Sequence, residues 1–198
     1  NRPECENAIR EGLKELEIDI NNTDLYLTHL HSDHVGLAAT IMPKDATIYM
    51  GRVDYDYLMT SVTGTHWEDT DNAFLSHGFP LDKIIELHTK NPARAFQVAG
   101  PFDAVKLEDG DKIQVGDYEF KCIYVPGHTP GNTCLYYEKD CLMFLGDHVL
   151  FDITPNITAW FGVKDSLSNY LESLKKIRQY KMVTALPAHR NTKGINVY

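Results

Sequence analysis

The sequence predicts an α/β protein, because segments of helical periodicity alternate along it with short apolar strands. Residues 165–180 place leucine, isoleucine and tyrosine at helical spacing, whereas residues 119–125 and 141–145 are strand-like runs bounded by turn residues. In addition, histidine and aspartate follow several of these strands. Strands of packed sheets that end at one edge bring distant residues together, so these side chains are expected to form one site on loops held by a rigid scaffold.

The length and composition are those of one globular domain. The chain has 198 residues, of which 43% are hydrophobic and 24% are charged, and this is enough for one sizeable core. We therefore expect a single domain over residues 1–198. The net charge of -9 repels phosphate backbones, which weighs against unaided nucleic-acid binding.

The cysteines and the apolar runs indicate the compartment. The four cysteines form no CxxC pair, and we expect them to be reduced and mostly buried, in a cytoplasmic protein. No apolar run has the length of a membrane span, so no membrane association is expected. The oligomeric state stays open, with a homodimer as one alternative.

The first quarter of the chain alternates helix and strand. Helical spacing of apolar residues predicts a helix over residues 4–17, and alternation predicts a strand over 24–28. A helix is expected over 35–41, ended by the proline that follows it, and a short strand over 47–50.

Residues 51–98 differ from the rest of the chain. They are rich in aromatic and aliphatic residues, but only residues 84–87 form a strand-like run. We interpret this segment as a mainly helical insertion that acts as a lid.

The second half of the chain is dominated by strands. A Gly-Asp turn within residues 112–125 predicts a hairpin, and two more apolar strands are expected at 132–137 and 141–145. Residues 150–163 are expected to form a loop over a site. Residues 165–180 are predicted to form a helix, with basic residues toward its end, and residues 182–186 are predicted to form a last strand.

The most informative stretch is residues 28–36, which read Thr-His-Leu-His-Ser-Asp-His-Val-Gly. Alternate side chains of an extended segment share a face, so His29 and His31 can reach one metal ion together. Asp33 and His34 follow where the chain turns and can point to a second position. Neutral imidazole and carboxylate suit zinc and similar ions, and packing alone explains such a cluster poorly.

Four motifs make the sequence resemble the metallo-β-lactamase superfamily of hydrolases. The motifs are His29-Leu-His-Ser-Asp-His34, Gly127-His128-Thr-Pro-Gly131, Gly146-Asp147 and Pro187-Ala-His189. The resemblance implies a four-layer αββα sandwich with a two-metal site at one edge. Members of the family have strands before the first helix and continue past the last histidine, so this chain is expected to lack its N-terminal strands and to be incomplete at both ends.

The resemblance also implies the metal ligands and the chemistry. His29, His31 and His128 would hold the first ion, Asp33, His34 and His189 would hold the second, and Asp147 would bridge the two. Two divalent ions generate a nucleophile near neutral pH, here a metal-bridging hydroxide that Asp33 also orients. Zinc is the expected metal, although five histidines with two carboxylates also suit iron or manganese.

The subfamily signals are mostly negative. Asp147 argues against antibiotic hydrolysis, because true β-lactamases of the superfamily generally lack an aspartate at the bridging position. Glyoxalase II-like members carry basic residues soon after that position, whereas here the first one is Lys164. Lactonases of this type place a tyrosine where Leu150 and Phe151 stand. The tRNA-processing nucleases need a basic arm that the acidic insertion does not provide.

The remaining features favour a small-molecule substrate. An apolar, aromatic-rich lid over a two-metal site suits an acyl or aromatic group, so we expect hydrolysis of a small ester, thioester or lactone. A metallo-nuclease or phosphodiesterase of the same superfamily is the alternative, and a non-catalytic metal-binding module is an alternative of another class. The candidate substrate contacts, each of which packing could also explain, are Tyr55, Tyr57, Trp67, His148, Trp160 and Phe161.

Overall fold

The computed structural model describes residues 1–190 and the short strand Ile195–Asn196. It divides the chain into two compact units. The first unit consists of Asn1–Tyr49 and Asp56–Val105, and the second consists of Met50–Tyr55 and Lys106–Tyr198.

Both α-helices and β-strands occur among the described residues. The helices are α1 (Pro3–Glu15), α2 (Ser32–Val35), α3 (Ala38–Ile41), α4 (Arg52–Thr63), α5 (His66–Ser76), α6 (Leu81–Lys90), α7 (Pro92–Ala95) and α8 (Ser166–Ile177). The strands are β1 (Leu25–Leu27), β2 (Ile48–Gly51), β3 (Val105–Leu107), β4 (Lys112–Val115), β5 (Tyr118–Tyr124), β6 (Thr133–Tyr137), β7 (Leu142–Gly146), β8 (Thr184–Pro187) and β9 (Ile195–Asn196). No helix among the described residues has both the length and the apolar character needed to cross a bilayer.

The strands form two sheets. One has three strands in the order β1-β2-β3, and the other has six in the order β4-β5-β6-β7-β8-β9. Neighbours from β4 to β7 are antiparallel, as short hairpin connections require. β7 and β8 are parallel because α8 connects them as a crossover, so both strands end at the same edge.

The core of the second unit lies on one face of the six-stranded sheet. Its fully buried members include Ile123, Val125, Met143 and Leu145, and Ile177 of α8 packs against them. Residues 123 and 125, like residues 143 and 145, are two positions apart and so share one face of the sheet. The strand ends are thereby held at fixed positions, and the predicted ligands of this unit follow them.

Most of the predicted elements are confirmed, two segments differ from expectation, and one strand was not predicted. The expected helix over 35–41 is not one helix: α2 begins earlier, at Ser32, and ends at Val35, and only α3 (Ala38–Ile41) lies within the predicted range. The strand-like run at 84–87 lies inside α6, which buries Ile84 and leaves the adjacent Ile85 exposed. β3 was not predicted, since it is three residues long and two of its residues are exposed.

The helical character of residues 51–98 agrees with expectation, whereas only two of the four cysteines are buried. Residues 51–98 contain α4 to α7 and are mainly helical. The four cysteines are free thiols, of which Cys122 and Cys134 are buried, Cys141 is partly buried and Cys5 is exposed. Cys134 lies across from Leu145 in the β6–β7 hairpin, since the pairing register places Leu135 opposite Phe144.

Candidate metal centre

The His-rich stretch of the first unit clusters three imidazoles at the end of β1. The His29 side chain is fully buried, and His31 lies at the N-terminal boundary of α2, which contains His34. The His29 ring centroid is 4.9 Å from that of His31 and 4.0 Å from that of His34. The ligand nitrogen of His29 is within 4.8 Å of those of the other two. The turn from strand into helix therefore converts sequence proximity into a compact donor cluster.

Asp33 and Thr28 flank this cluster. The Asp33 carboxylate Oδ2 lies 3.6 Å from His34 Nε2, and its side chain is 59% exposed, so it faces solvent beside the imidazoles. Thr28 Oγ1 lies 3.0 Å from His29 Nδ1. When Nδ1 carries the proton it donates to this hydroxyl, and the Nε2 lone pair of His29 is then available to a metal ion.

The second unit brings three of the predicted ligands together. Asp147 directly follows β7, and its buried Oδ2 lies 3.5 Å from His128 Nε2 and 3.3 Å from His189 Nε2. The parallel register pairs Gly146 with Pro187, so Asp147 and the His189 segment leave the sheet at one edge. His128 and His189, which are 61 positions apart in the sequence, thus lie beside the same carboxylate.

His128 is held by contacts on its ring and its backbone. Its Nδ1 lies 2.7 Å from the carbonyl oxygen of Asn156, and the indole N–H of Trp160 donates to the His128 carbonyl oxygen at 3.1 Å. Just before this residue, the Ser173 hydroxyl of α8 donates to the Pro126 carbonyl oxygen at 2.8 Å. Contacts of this kind fix the orientation of a metal-binding imidazole.

The donor chemistry fits a divalent metal ion. A buried carboxylate is costly unless a cation or hydrogen bonds compensate for its lost hydration, and Asp147 has two imidazole nitrogens around it. All seven predicted ligands are among the described side chains that form candidate metal-ion groups. They are His29, His31, Asp33, His34, His128, Asp147 and His189. Imidazole and carboxylate are the usual ligands of zinc, iron and manganese.

Two of the predicted substrate contacts lie in the helical part of the first unit. Tyr57 packs edge-on against His66, with ring centroids 4.9 Å apart. Trp67 stacks under the Arg94 guanidinium, 4.6 Å from its ring centroid, and donates its indole N–H to Gln97 at 3.3 Å. Both rings are partly buried in contacts between these helices.

The other four predicted contacts lie in the second unit. Tyr55 is buried beneath the Lys106 ammonium, which is 4.9 Å from its ring centroid, and Trp160 binds the His128 backbone as described. The Phe161 side chain is 64% exposed. His148 is fully buried and packs edge-on against Tyr170, so it faces α8. Burial lowers the pKa of His148 to about 4 and so favours the neutral imidazole, and an opposing, smaller effect of a hydrogen bond with the Ser173 backbone raises the pKa.

Several residues that build the site escaped the sequence analysis. Asn156 contributes a backbone carbonyl, and such a contact leaves no trace in residue type. Ser173 lies on α8, where the helical period predicts only a partly buried face. Thr129 was noticed only as part of a motif, although its side chain is fully buried and hydrogen-bonded.

The sequence of the whole site region matches a known family. Residues 21–189 match the model of the metallo-beta-lactamase superfamily. The chain belongs to the metallo-beta-lactamase superfamily. An uncharacterized protein of Aquifex aeolicus is 30% identical over 86% of this chain and 68% of its own length. The predicted family membership is thereby confirmed.

Two named relatives of this superfamily member are enzymes. A hydroxyacylglutathione hydrolase of Maricaulis maris is 29% identical over 67% of this chain, and the human acyl-coenzyme A thioesterase MBLAC2 is 28% identical over 52%. The matches span 54% of the first relative's length and 37% of the second's, so this chain corresponds to about half or less of either protein.

Solved structures of superfamily members share the fold. The metallo-beta-lactamase family protein TTHA1429 of Thermus thermophilus has a TM-score of 0.75 and 22% identity, over 96% of this chain and 62% of that one. TTHA1623 in a di-iron-bound form has a TM-score of 0.58 and 20% identity, over 99% and 80%. The predicted fold class, the α/β sandwich of this superfamily, is confirmed.

Proposed function

We propose that this superfamily member is a metal-dependent hydrolase that cleaves a small ester, thioester or lactone. The observation that carries the proposal is the buried Asp147 carboxylate with the His128 and His189 nitrogens 3.5 Å and 3.3 Å from one of its oxygens. A carboxylate beside two imidazoles is a typical donor set for a divalent ion. Family membership supports the same chemistry.

The ligand assignment follows the order of the family's motifs. We assign His29, His31 and His128 to one ion, Asp33, His34 and His189 to a second, and Asp147 to both. Divalent ions, when bound, supply Lewis acidity and lower the pKa of nearby water. Zinc is the first choice of metal, with iron and manganese as alternatives. The name of a di-iron-bound structural relative supports a transition metal without favouring one for this chain.

The protein's own groups position the reactants. Asp33 is exposed beside His34, so its carboxylate can orient a water molecule and accept its proton. The Asn156 carbonyl holds a proton on His128 Nδ1, which leaves Nε2 on the Asp147 side of the ring. The protein thus holds its donors ready before substrate binds, and preorganisation of this kind is a main source of catalysis.

The loop after Asp147 favours an acyl substrate. Residues 148–163 contain no lysine or arginine, and the apolar side chains of Phe151, Ile153 and Phe161 are exposed there. Apolar surface suits the acyl part of an ester or thioester, whereas a glutathione carboxylate would call for basic partners. The thioesterase and hydroxyacylglutathione hydrolase names of two relatives support a thioester as the first substrate class to test.

A metal analysis of the protein, followed by assays with a panel of substrates, tests the proposal. The purified protein is analysed for bound zinc, iron and manganese and then assayed with acyl thioesters, p-nitrophenyl esters, lactones and bis-p-nitrophenyl phosphate. We expect bound metal and turnover of the carboxylic substrates. Turnover of the phosphodiester alone would replace the proposal by a phosphodiesterase. Metal binding without any turnover would favour a non-catalytic module, and a metal content near zero would overturn the metal site itself.

A further inference from the structure

A buried aspartate outside the predicted ligand set contacts the loop that carries His128. Asp54 belongs to the second unit and is fully buried in the first turn of α4. Its Oδ2 accepts a hydrogen bond from Thr129 Oγ1 at 2.6 Å, and its Oδ1 accepts one from the Gly131 backbone N–H at 2.5 Å. Both carboxylate oxygens are therefore used on residues that follow His128, and hydrogen bonds to a charged acceptor are among the stronger ones.

Two glycines allow this close approach. A Cβ atom on Gly131 would lie 2.2 Å from the Asp54 backbone nitrogen, and one on Gly51 would lie 2.7 Å from the Gly131 carbonyl oxygen. The segment of residues 50–55 and the loop of residues 127–131 are thus in direct backbone contact. Such packing leaves the Asp54 carboxylate no room to shift, so the geometry of the loop of residues 127–131 depends on the position of that carboxylate.

The His128 loop is fixed at successive points. Asn156 binds the ring of His128, Trp160 binds its carbonyl oxygen, and Asp54 binds the residues one and three positions further along. Removal of the last contact would leave the Thr129 hydroxyl and the Gly131 N–H buried without their acceptor, which costs free energy. The loop would then relax around them and carry the imidazole with it.

We propose that Asp54 is a positioning residue for His128 and sets the affinity and geometry of the ion that His128 binds. The inference rests on the proposed function in one respect, namely that His128 is a metal ligand. Asp54 acts through the loop, as groups behind a ligand commonly do in metal sites, where their loss lowers metal affinity about 10- to 100-fold.

The test is a Co²⁺ titration of the metal-free protein, followed by its visible absorption spectrum. Asp54→Ala removes both acceptors, and we expect it to weaken Co²⁺ binding at least about tenfold and to alter the spectrum. Asp54→Asn is the conservative variant. Its side-chain oxygen can accept from Gly131 while the Thr129 hydroxyl turns to accept from its amide, so we expect substantial recovery of affinity.

The matched control is Asp109→Ala. The Asp109 carboxylate also accepts from a backbone N–H, that of Tyr124, and from a side chain, Lys176, in the same unit. We expect this variant to lose thermal stability while keeping the wild-type Co²⁺ affinity and spectrum. Equal effects of the Asp54 and Asp109 variants on Co²⁺ binding would reduce Asp54 to a structural residue and overturn the proposal.

A second pair of variants covers the case in which Asp54→Ala does not fold. Thr129→Val removes one donor with little change of shape, whereas Thr129→Ser keeps the hydroxyl. Weaker Co²⁺ binding in the first but not the second is expected, and unchanged binding in both would refute the role of Asp54. If the wild-type protein binds Co²⁺ and hydrolyses esters while these variants are unaffected, only this inference fails. If the wild-type protein binds no metal, the proposed function fails as well.

Discussion

The Nδ1 atom of His128 lies 2.7 Å from the backbone carbonyl oxygen of Asn156. A carbonyl oxygen only accepts hydrogen bonds, so this nitrogen carries a proton, and in the neutral ring the lone pair is on Nε2. Nε2 is the nitrogen that lies 3.5 Å from Asp147. The loop of residues 150–163 therefore selects the His128 tautomer that a metal ion requires.

Trp160→Phe tests the second contact on this residue. The substitution keeps most of the ring but removes the indole N–H that donates to the His128 carbonyl oxygen. We expect a loss of about 1 kcal/mol in the free energy of unfolding and several-fold weaker metal binding, measured by urea unfolding and Co²⁺ titration. Trp67→Phe is the control, because its indole binds Gln97 among the helices. Metal affinity should stay unchanged in that variant, and a loss as large as that of Trp160→Phe would contradict the specific role of Trp160.

Asp33→Asn separates catalysis from folding. The Asp33 side chain is 59% exposed, so its substitution should cost little stability. Because Asn is a far weaker base than Asp, turnover of the best substrate should fall by about 100-fold or more. Steady-state kinetics and thermal unfolding measure the two effects. Asp45→Asn changes another exposed aspartate and should leave both unchanged. Full residual activity of Asp33→Asn would refute the assigned role.

Gly127→Ala should destabilise the second unit strongly. Gly127 has a φ of +142°, and a Cβ there would lie 2.4 Å from the Cβ of Tyr170 on α8. We expect a loss of about 3 kcal/mol or more in the free energy of unfolding, from overpacking together with backbone strain. Gly12→Ala is the matched control, since it lies within α1 with no atom near its Cβ position. That variant should gain up to about 1 kcal/mol. Similar urea midpoints for the two variants would contradict the close packing.

His66 should titrate below the ordinary range for histidine. Burial lowers the pKa of His66 from 6.5, the Arg94 charge lowers it further, and Asp69 partly opposes them. Between the pKa of His66 in the folded protein and its value of 6.5 in the unfolded chain, the unfolded chain binds more protons than the folded one. The contribution of His66 to the free energy of unfolding is therefore fully present above pH 6.5 and is lost as the pH falls through the folded pKa. NMR titration of the His66 ring measures its folded pKa directly, and a midpoint above 6.5 would be inconsistent with the packing of α5. In His66→Gln this part of the pH dependence of stability should disappear.

Metal-ligand candidates were predictable because their motifs are local. The spacing of His29, His31, Asp33 and His34 places four donors within six residues, and no tertiary information is needed to recognise them. The strand before Asp147 and the helix from residue 166 were also predictable, since periods of 2 and 3.6 residues are visible in the sequence. β3 was missed because three residues with one buried side chain carry no period.

Candidate substrate contacts were harder to assign from the sequence than candidate metal ligands. An aromatic residue in a loop or a helix has the same sequence signature whether it packs or binds. Trp160 illustrates this, because its indole N–H binds the backbone of His128. Tyr55 is covered by Lys106, a contact between residues 51 positions apart that no local pattern encodes.

The sequence by itself determined the superfamily, the α/β class and the candidate metal-donor side chains, because these depend on short motifs and on local periodicity. Only the tertiary structure decided how His128 is held. Its tautomer depends on a backbone carbonyl 28 residues away, and its loop depends on the Asp54 carboxylate 75 residues away from Thr129. Backbone groups are the same in every residue, and a buried aspartate looks like any other in a sequence. Contacts of this kind exist only once the chain has folded.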